Sequence, residues 1–143
     1  MRIRFIPSLL VLTAVPAYSQ SETMLGDLDS RGRTTLSRDE LVLLMPNARM
    51  SKTTDKGNTH LWTNEPGGNF IVSSDNRAAR AGVSTAPGKW HVSDEGKYCV
   101  VIEWKHTPAE DWCRYIIQSD GKYFAARSDK NLSDKIFRLD IVK

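Results

Sequence analysis

The chain has 143 residues, of which 40% are hydrophobic, and it carries 20 basic against 17 acidic side chains. This length fits a single domain large enough to fold around its own core. Two of the basic residues lie in an N-terminal stretch predicted to be removed, so the rest is almost neutral and gives no sign of the concentrated basic face that nucleic acids or anionic membranes require.

The first residues have the pattern of a cleavable signal peptide. Arg2 and Arg4 provide a positive start, and an apolar stretch over residues 5–15 follows. Ala17-Tyr18-Ser19 then places small residues at the positions that signal peptidase must accept. The apolar run is about half as long as a bilayer span, which argues against an integral membrane anchor. We predict a signal peptide over residues 1–19, with cleavage after Ser19, and a secreted or periplasmic protein.

The segment over residues 20–35 is polar and has little hydrophobic periodicity. We predict that it is a flexible arm ahead of a single mainly β domain over residues 36–143. Within that domain, residues 75–87 are rich in Ala, Arg, Gly and Ser and are predicted to form a mobile loop.

One short helix is predicted at the start of the domain. Ser37 and Glu40 have the spacing of a capping box, in which each side chain bonds the backbone N–H of the other residue. The following residues place three apolar side chains on one helical face, namely Leu41, Leu44 and Met45. Pro46 ends the helix.

From His60 onward the hydrophobic pattern has a period of two, with turn signals at short spacing, which predicts consecutive antiparallel strands. The predicted strands cover residues 59–63, 68–74, 88–93, 97–105, 112–118, 122–127 and 135–142. A two-residue turn at Asp120-Gly121 would place Ile117 opposite Phe124. The connections are too short for the crossover helices of a parallel sheet. The predicted fold is therefore mainly β, either a strongly bent antiparallel sheet or a small barrel.

Cys99 and Cys113 are the two cysteines, and in an exported protein they predict one disulfide. A hairpin with its loop over residues 107–110 would leave them too far apart to bond. Either the turn centres near His106, which brings them opposite each other, or residues 105–111 fold back irregularly. We prefer the turn near His106.

No combination of residues points to a catalytic site, a metal site or a cofactor, so none is predicted. The three histidines, His60, His91 and His106, match no compact metal-ligand motif. The sequence has no G-x-S-x-G nucleophile motif and no glycine-rich phosphate loop.

The four tryptophans are the most prominent feature of the composition. Each could pack in the core or belong to a surface that stacks on sugars or contacts a protein. We predict that Trp90 and Trp104 are core residues, and both alternatives stay open for Trp62 and Trp112. The candidate binding surface consists of Trp62, Trp112 and Arg114. The Arg114 guanidinium could pair with Glu103 or stack on an indole.

The spacing of glycine, tryptophan and cysteine resembles a known family. The elements are Gly88-Lys89-Trp90, Gly96-Lys97-Tyr98-Cys99, Trp104, Trp112-Cys113-Arg114 and Gly121-Lys122-Tyr123. This pattern resembles the small exported proteobacterial proteins known as domain of unknown function 995, which implies a bacterial, secreted or periplasmic protein and implies no activity. A weaker resemblance is to calycin-like barrels, including periplasmic inhibitors of secreted metalloproteases, in which a G-x-W strand is followed by a cysteine, as Gly88-Lys89-Trp90 and Cys99 are here. If the fold is a small barrel, this resemblance predicts a calycin-like barrel.

These observations favour an exported, non-enzymatic domain that binds an unidentified protein or small ligand through one face or mouth of the β structure. The alternative is a cell-envelope enzyme acting on glycans, with an aromatic platform and carboxylates such as Glu103, Glu110 or Asp111. A third hypothesis is a structural or stress-related envelope protein without a small ligand.

Overall fold

The computed structural model describes residues 23–143, so the predicted signal peptide over residues 1–19 lies outside the described residues. One α-helix, α1, spans Arg38–Leu44, and 3-10 turns span Leu25–Asp27 and Arg77–Ala79. The strands are β1 (Thr23–Met24), β2 (Arg33–Thr35), β3 (Arg49–Thr53), β4 (Thr59–Thr63), β5 (Asn69–Ser74), β6 (Ser84–Val92), β7 (Tyr98–Ile102), β8 (Glu110–Ser119), β9 (Lys122–Ala126), β10 (Lys135–Arg138) and β11 (Asp140–Val142).

The sheet is antiparallel, and β3 to β9 lie side by side in chain order. At one side β10 pairs with β9, and at the other β11 pairs with β3. Because Leu139 alone separates β10 from β11, the same C-terminal segment lies at both sides, and the sheet must curl strongly to bring them together. The prediction of a mainly β fold with a strongly bent antiparallel sheet and one helix is confirmed, in the form of a half-barrel.

The concave face of the sheet holds the main hydrophobic core. Strands from every part of the curl contribute to it, together with α1, through Leu36, Leu41, Met45, Ala48, Met50, Trp62, Phe70, Val72, Ala86, Tyr98, Val100, Ile102, Ile116, Ala125 and Leu139. Inward and outward residues alternate along each strand, so the other side chains of the same strands face outward.

The N-terminal segment covers part of the convex face. β1 pairs with β10, and β2 pairs with β8. Leu25 is fully buried in a second cluster with Ile117, Phe124, Ala126 and Ile136. The prediction of a flexible arm over residues 20–35 is therefore wrong for residues 23–35. The segment is polar, but unpaired strand edges supply partners for its backbone and the second cluster buries its leucine.

The predicted helix and its capping box are confirmed. The Ser37 hydroxyl accepts a bond from the Glu40 N–H (3.2 Å), and the Glu40 carboxylate accepts one from the Ser37 N–H (3.4 Å). Leu41 and Met45 are fully buried, and α1 lies against β6. The helix therefore covers one end of the core, which we call the closed end; the opposite end is the open end.

β6 begins four residues earlier than predicted, so the loop predicted over residues 75–87 is shorter, and residues 84–87 are strand. Proline is unusual inside a sheet because it cannot donate a backbone hydrogen bond. The Pro87 backbone faces the side where β7 has just ended at Ile102. On that side no partner requires a backbone N–H from residue 87. The Pro87 carbonyl accepts a hydrogen bond from the Glu103 N–H (3.0 Å).

No strand is predicted at residues 49–53, where β3 lies, because Met50 is the only strongly apolar residue there. The strand forms because β4 and β11 flank it and supply its hydrogen bonds. At the C-terminus, the strand predicted over residues 135–142 divides at Leu139 into β10 and β11.

The predicted hairpin registers are confirmed. Ile117 lies opposite Phe124 across the Asp120-Gly121 turn, where both turn residues have a positive φ, as a two-residue hairpin turn requires. Cys99 lies opposite Cys113 in the β7–β8 pair, and the two form a disulfide. The preferred turn near His106 is therefore the observed one.

Candidate functional site

Trp62 lies in the core at the closed end and is 4% exposed. Its indole N–H points at Asn64 Oδ1 and the Tyr98 hydroxyl oxygen, both at 3.1 Å. The Tyr98 hydroxyl donates to Asn64 Oδ1 (2.6 Å), and the Asn64 amide donates to the Met45 carbonyl (3.1 Å). Burial raises the pKa of Tyr98 well above its ordinary value, so it stays a neutral hydroxyl. The inclusion of Trp62 in a binding surface is wrong, because its ring is enclosed and its N–H is satisfied within the core.

Trp112 and Arg114 are half-buried on the concave side of β8. Trp112 meets Tyr98 and Phe137 edge-on, with ring centres at 6.1 and 5.6 Å. The Arg114 guanidinium lies 5.8 Å from the centre of the Trp112 ring, so the expected stacking is present. Without Trp62 the candidate surface is reduced to these two residues, and their part in binding stays a prediction.

Trp90 and Trp104 pack against the main core, but both are only partly buried. The Trp90 N–H donates to the Glu65 carbonyl (2.8 Å), which ties β6 to the turn between β4 and β5. Trp104 follows β7 at the open end, and its N–H donates to Glu110 Oε2 (2.6 Å). Trp90 therefore has a structural role, whereas Trp104 belongs to a polar cluster.

That cluster brings Lys52, His60 and Glu110 together at the open end. Lys52 lies opposite His60 in the β3–β4 pair, and Glu110 is the first residue of β8. Lys52 Nζ donates to Glu110 Oε1 at 2.9 Å, while Oε2 accepts the Trp104 bond. Both carboxylate oxygens are therefore occupied by charge-assisted hydrogen bonds.

Aromatic rings surround the cationic and imidazole groups of the cluster. Lys52 Nζ lies 5.1 Å from the centre of the Trp112 ring and 5.4 Å from that of Phe137. The His60 ring lies 5.0 Å from the Trp104 ring at an angle of 49°. Cation–π contacts of this kind help to hold a largely buried ammonium group in place.

His60 has one nitrogen that the fold leaves without a hydrogen bond. The residue is 7% exposed, and Nδ1 has no partner among the described residues. Glu110 Oε2 lies 3.9 Å from it, which is beyond hydrogen-bond distance. A buried nitrogen left unpaired carries a desolvation penalty, and because almost none of the Nδ1 surface is accessible, an outside partner reaches it only when the ring turns toward the cavity.

The charges of the cluster compensate each other. Burial lowers the pKa of His60, the charge of Lys52 lowers it further, and Glu110 and Asp75 oppose this only in part. Burial alone would raise the pKa of Glu110, but Lys52 and the hydrogen bond from Trp104 hold it below its ordinary value. At neutral pH the cluster therefore has a neutral imidazole beside a paired cation and anion.

A cavity of about 560 Å³ opens beside this cluster, and we call it the His60 cavity. His60, Trp104 and Glu110 form its inner wall, and residues from the segments 54–58, 74–85 and 105–108 surround them. Its volume lies in the range of small-molecule sites. The cavity is the open end of the half-barrel, where no helix of residues 23–143 covers the core.

The carboxylates near the cavity differ in their surroundings. Glu110 is held as an anion with both oxygens bonded, so it is poorly placed to donate or accept a proton. Glu103 and Asp111 are exposed and do not line the cavity. Among residues 23–143, no group of three His, Cys, Asp or Glu side chains could hold a metal ion.

Lys52 and His60 are absent from the predicted site. His60 lies two residues before Trp62 in the predicted strand over residues 59–63, so the period of two places both on one face of the sheet, but it does not tell whether that face is the inner one. Lys52 lies in β3, the strand that no pattern predicted, so its position could not be read from the sequence.

In the part of the chain that the structure describes, no helix is long and apolar enough to cross a membrane. No curated protein matches the chain, and no solved structure matches it. A family model described as "Protein of unknown function (DUF995)" matches residues 31–114, which is more than half of the chain. The match covers α1, β3 to β7 and the first half of β8, and therefore the strands that carry Lys52, His60 and Glu110. The chain therefore belongs to the DUF995 family of proteins of unknown function.

Proposed function

We propose that this protein is an exported, non-enzymatic binding domain that takes a small ligand into the His60 cavity. The observation that carries the proposal is the unpartnered Nδ1 of His60, in a side chain only 9% exposed at the wall of a cavity of about 560 Å³. A small rotation of the imidazole toward the cavity lets a ligand bond this nitrogen, which removes the penalty of leaving it unpaired.

Export is the part of the proposal that the N-terminal sequence supports. The signal-peptide pattern over residues 1–19 predicts it, and the Cys99–Cys113 disulfide is typical of an oxidising compartment. Fractionation of the source cells with N-terminal sequencing tests it. The expected product begins at Gln20 outside the cytoplasm, whereas an unprocessed cytoplasmic chain would contradict export.

Ligand binding in the cavity can be tested with the indole N–H signals of a ¹H–¹⁵N NMR spectrum. Each of the four tryptophans gives one such signal, and the signal missing from a Trp104→Phe variant is that of Trp104. We expect at least one compound of a broad small-molecule library to shift the Trp104 signal in a saturable way. The Trp62 signal is the internal control, because that indole is buried at the closed end. If no compound shifts Trp104, the proposed function is wrong.

The rival function, a cell-envelope enzyme acting on glycans, is favoured by one observation, the His60–Glu110 pair in the cavity beside Trp104. It predicts release of reducing ends from cell-wall glycans and loss of that release in Glu110→Gln. Binding without any turnover would support the non-enzymatic domain instead.

A further inference from the structure

The lining of the His60 cavity indicates a class of ligand, and this step rests on the binding function proposed above. We infer that the ligand is a neutral saccharide, with its hydroxyl groups bonded to the cavity wall and one face of its ring against Trp104. Three properties of the cavity support this inference: its charge, its hydrogen-bonding groups and its aromatic wall.

The inner wall has no net charge to offer a ligand. Lys52 and Glu110 compensate each other at 2.9 Å, and burial keeps the His60 imidazole neutral at neutral pH by lowering its pKa. An ionic ligand would lose its hydration there without a free group of opposite sign to replace it. Three charged residues lie on the exposed rim, where solvent screens their charges, namely Asp55, Lys56 and Lys105. The wall therefore favours a neutral ligand.

Neutral hydrogen-bonding side chains also line the cavity, namely Thr54, Asn58, Ser74, Asn76 and Ser84. The hydroxyl oxygens of Thr54 and Ser74 accept backbone N–H bonds at 3.1 and 3.3 Å. The Asn76 amide donates to the Ser84 hydroxyl at 2.9 Å. These bonds hold the surrounding loops, while each hydroxyl keeps its own proton to donate and Asn76 keeps its side-chain oxygen to accept. A ligand with many hydroxyl groups matches such a mixture of donors and acceptors.

His60 and Trp104 complete the match at the inner wall. A hydroxyl group can donate to Nδ1 or accept from it, so it suits the nitrogen whether or not that nitrogen carries the hydrogen. The Trp104 N–H is occupied by Glu110, and the His60 ring lies 5.0 Å from the indole ring, so a ligand contacts only the part of the indole face that His60 leaves uncovered. Sugar rings have an apolar C–H face with hydroxyl groups around the edge, and this combination fits an aromatic wall surrounded by polar groups.

A matched charge series on one ring tests the inference. Glucose and N-acetylglucosamine are the neutral probes, glucuronate and glucosamine are the charged ones, and indole and a capped neutral dipeptide represent the other classes. Each is titrated into the disulfide-intact protein while the Trp104 indole signal is followed. We expect the neutral sugars to bind, and the charged forms of the same ring to bind at least about tenfold more weakly.

Variants locate the binding. His60→Phe keeps an aromatic ring but removes Nδ1, so it should weaken sugar binding about tenfold. Trp104→Leu removes the stacking face and the indole signal, so its weaker binding is measured by isothermal titration calorimetry beside the unchanged protein. His91→Phe is the matched control, because His91 is exposed on β6 away from the cavity, and it should bind like the unchanged protein.

The outcomes separate this inference from the proposed function. If glucuronate, glucosamine, indole or the dipeptide binds at Trp104 and the neutral sugars do not, the ligand class is wrong while the binding function stands. If the sugars bind but His60→Phe binds them equally well, the site is wrong. If no probe and no library compound shifts Trp104, both proposals fall.

Discussion

Lys52 and His60 lie opposite each other on neighbouring strands, but their polar atoms differ in their hydrogen bonds. The ammonium group has a carboxylate at 2.9 Å and two aromatic rings within 5.4 Å, whereas His60 Nδ1 has no bond. At the closed end, by contrast, Trp62, Asn64 and Tyr98 satisfy one another. The polar residues of the closed end hold the structure together, while His60 Nδ1 is left without a partner among the described residues, and the proposed binding function depends on this difference.

The buried imidazole predicts a pH dependence of folding stability. In the folded protein His60 has a pKa below its ordinary value of 6.5. Below pH 6.5 the unfolded chain therefore binds more protons at this residue than the folded chain does. The free energy of unfolding should therefore fall as pH drops below about 6.5, by at most about 1.4 kcal/mol per pH unit. Glu110 acts in the same direction at lower pH, because its lowered pKa gives stability that is lost as the carboxylate protonates.

Urea unfolding between pH 7.5 and 3.5 measures this effect. His60→Phe should flatten the slope between pH 6.5 and 5 while leaving the loss at lower pH, where Glu110 titrates. His91→Phe, at an exposed position, is the control. An equal slope in His60→Phe and the unchanged protein would rule out His60 as the source.

At the scale of elements, the fold depends on how closely neighbouring strands approach. Gly88 in β6 lies opposite Phe70 in β5, and the Phe70 ring occupies the space that a side chain at Gly88 would need. The Gly88-Lys89-Trp90 element of the sequence thus has a physical explanation. The glycine admits the Phe70 ring, and the tryptophan bonds the neighbouring turn through its N–H.

Gly88→Ala should therefore destabilise the protein. Its Cβ would overlap the ring of Phe70, which is 2% exposed and cannot move aside easily. We expect a loss of about 1–3 kcal/mol in the free energy of unfolding. Gly67→Ala is the matched control, because nothing lies within 4 Å of a Cβ there, and its effect should stay within about 0.5 kcal/mol. Equal stability of the two variants in urea would contradict the explanation.

For the whole molecule, the C-terminal segment decides whether the sheet closes on itself. Leu139 links the strand at one side of the sheet to the strand at the other, and its N–H donates to the Tyr123 carbonyl at 3.0 Å. Its side chain is fully buried in the main core. The position of one residue thus ties the two sides together around the same core.

Leu139→Ala should remove much of this link. Loss of a fully buried leucine side chain should cost about 2–5 kcal/mol. Val142→Ala, three residues on and 50% exposed, should change stability by about 0.5 kcal/mol or less. Denaturant unfolding of the two variants checks the difference, and similar midpoints would show that the C-terminal link is unimportant.

Local sequence determined much of the architecture. Capping chemistry fixed the helix at Ser37, and Asp-Gly turn chemistry with alternating side chains fixed the β8–β9 register. The cysteine pair favoured the observed β7–β8 register, because a disulfide tolerates only a narrow distance. Each of these signals acts between residues close in sequence, which is why it can be read without a structure.

Only the tertiary structure decided the rest. Polar segments such as β2 and β3 become strands because neighbouring strands supply hydrogen bonds, which no local pattern records. Whether a tryptophan is core or cavity wall depends on which end of the half-barrel it reaches, so Trp62 and Trp104 could not be told apart beforehand. The ion pair of Lys52 with Glu110 joins residues 58 positions apart. Such a contact exists only once the sheet has curled, and the candidate site depends on it.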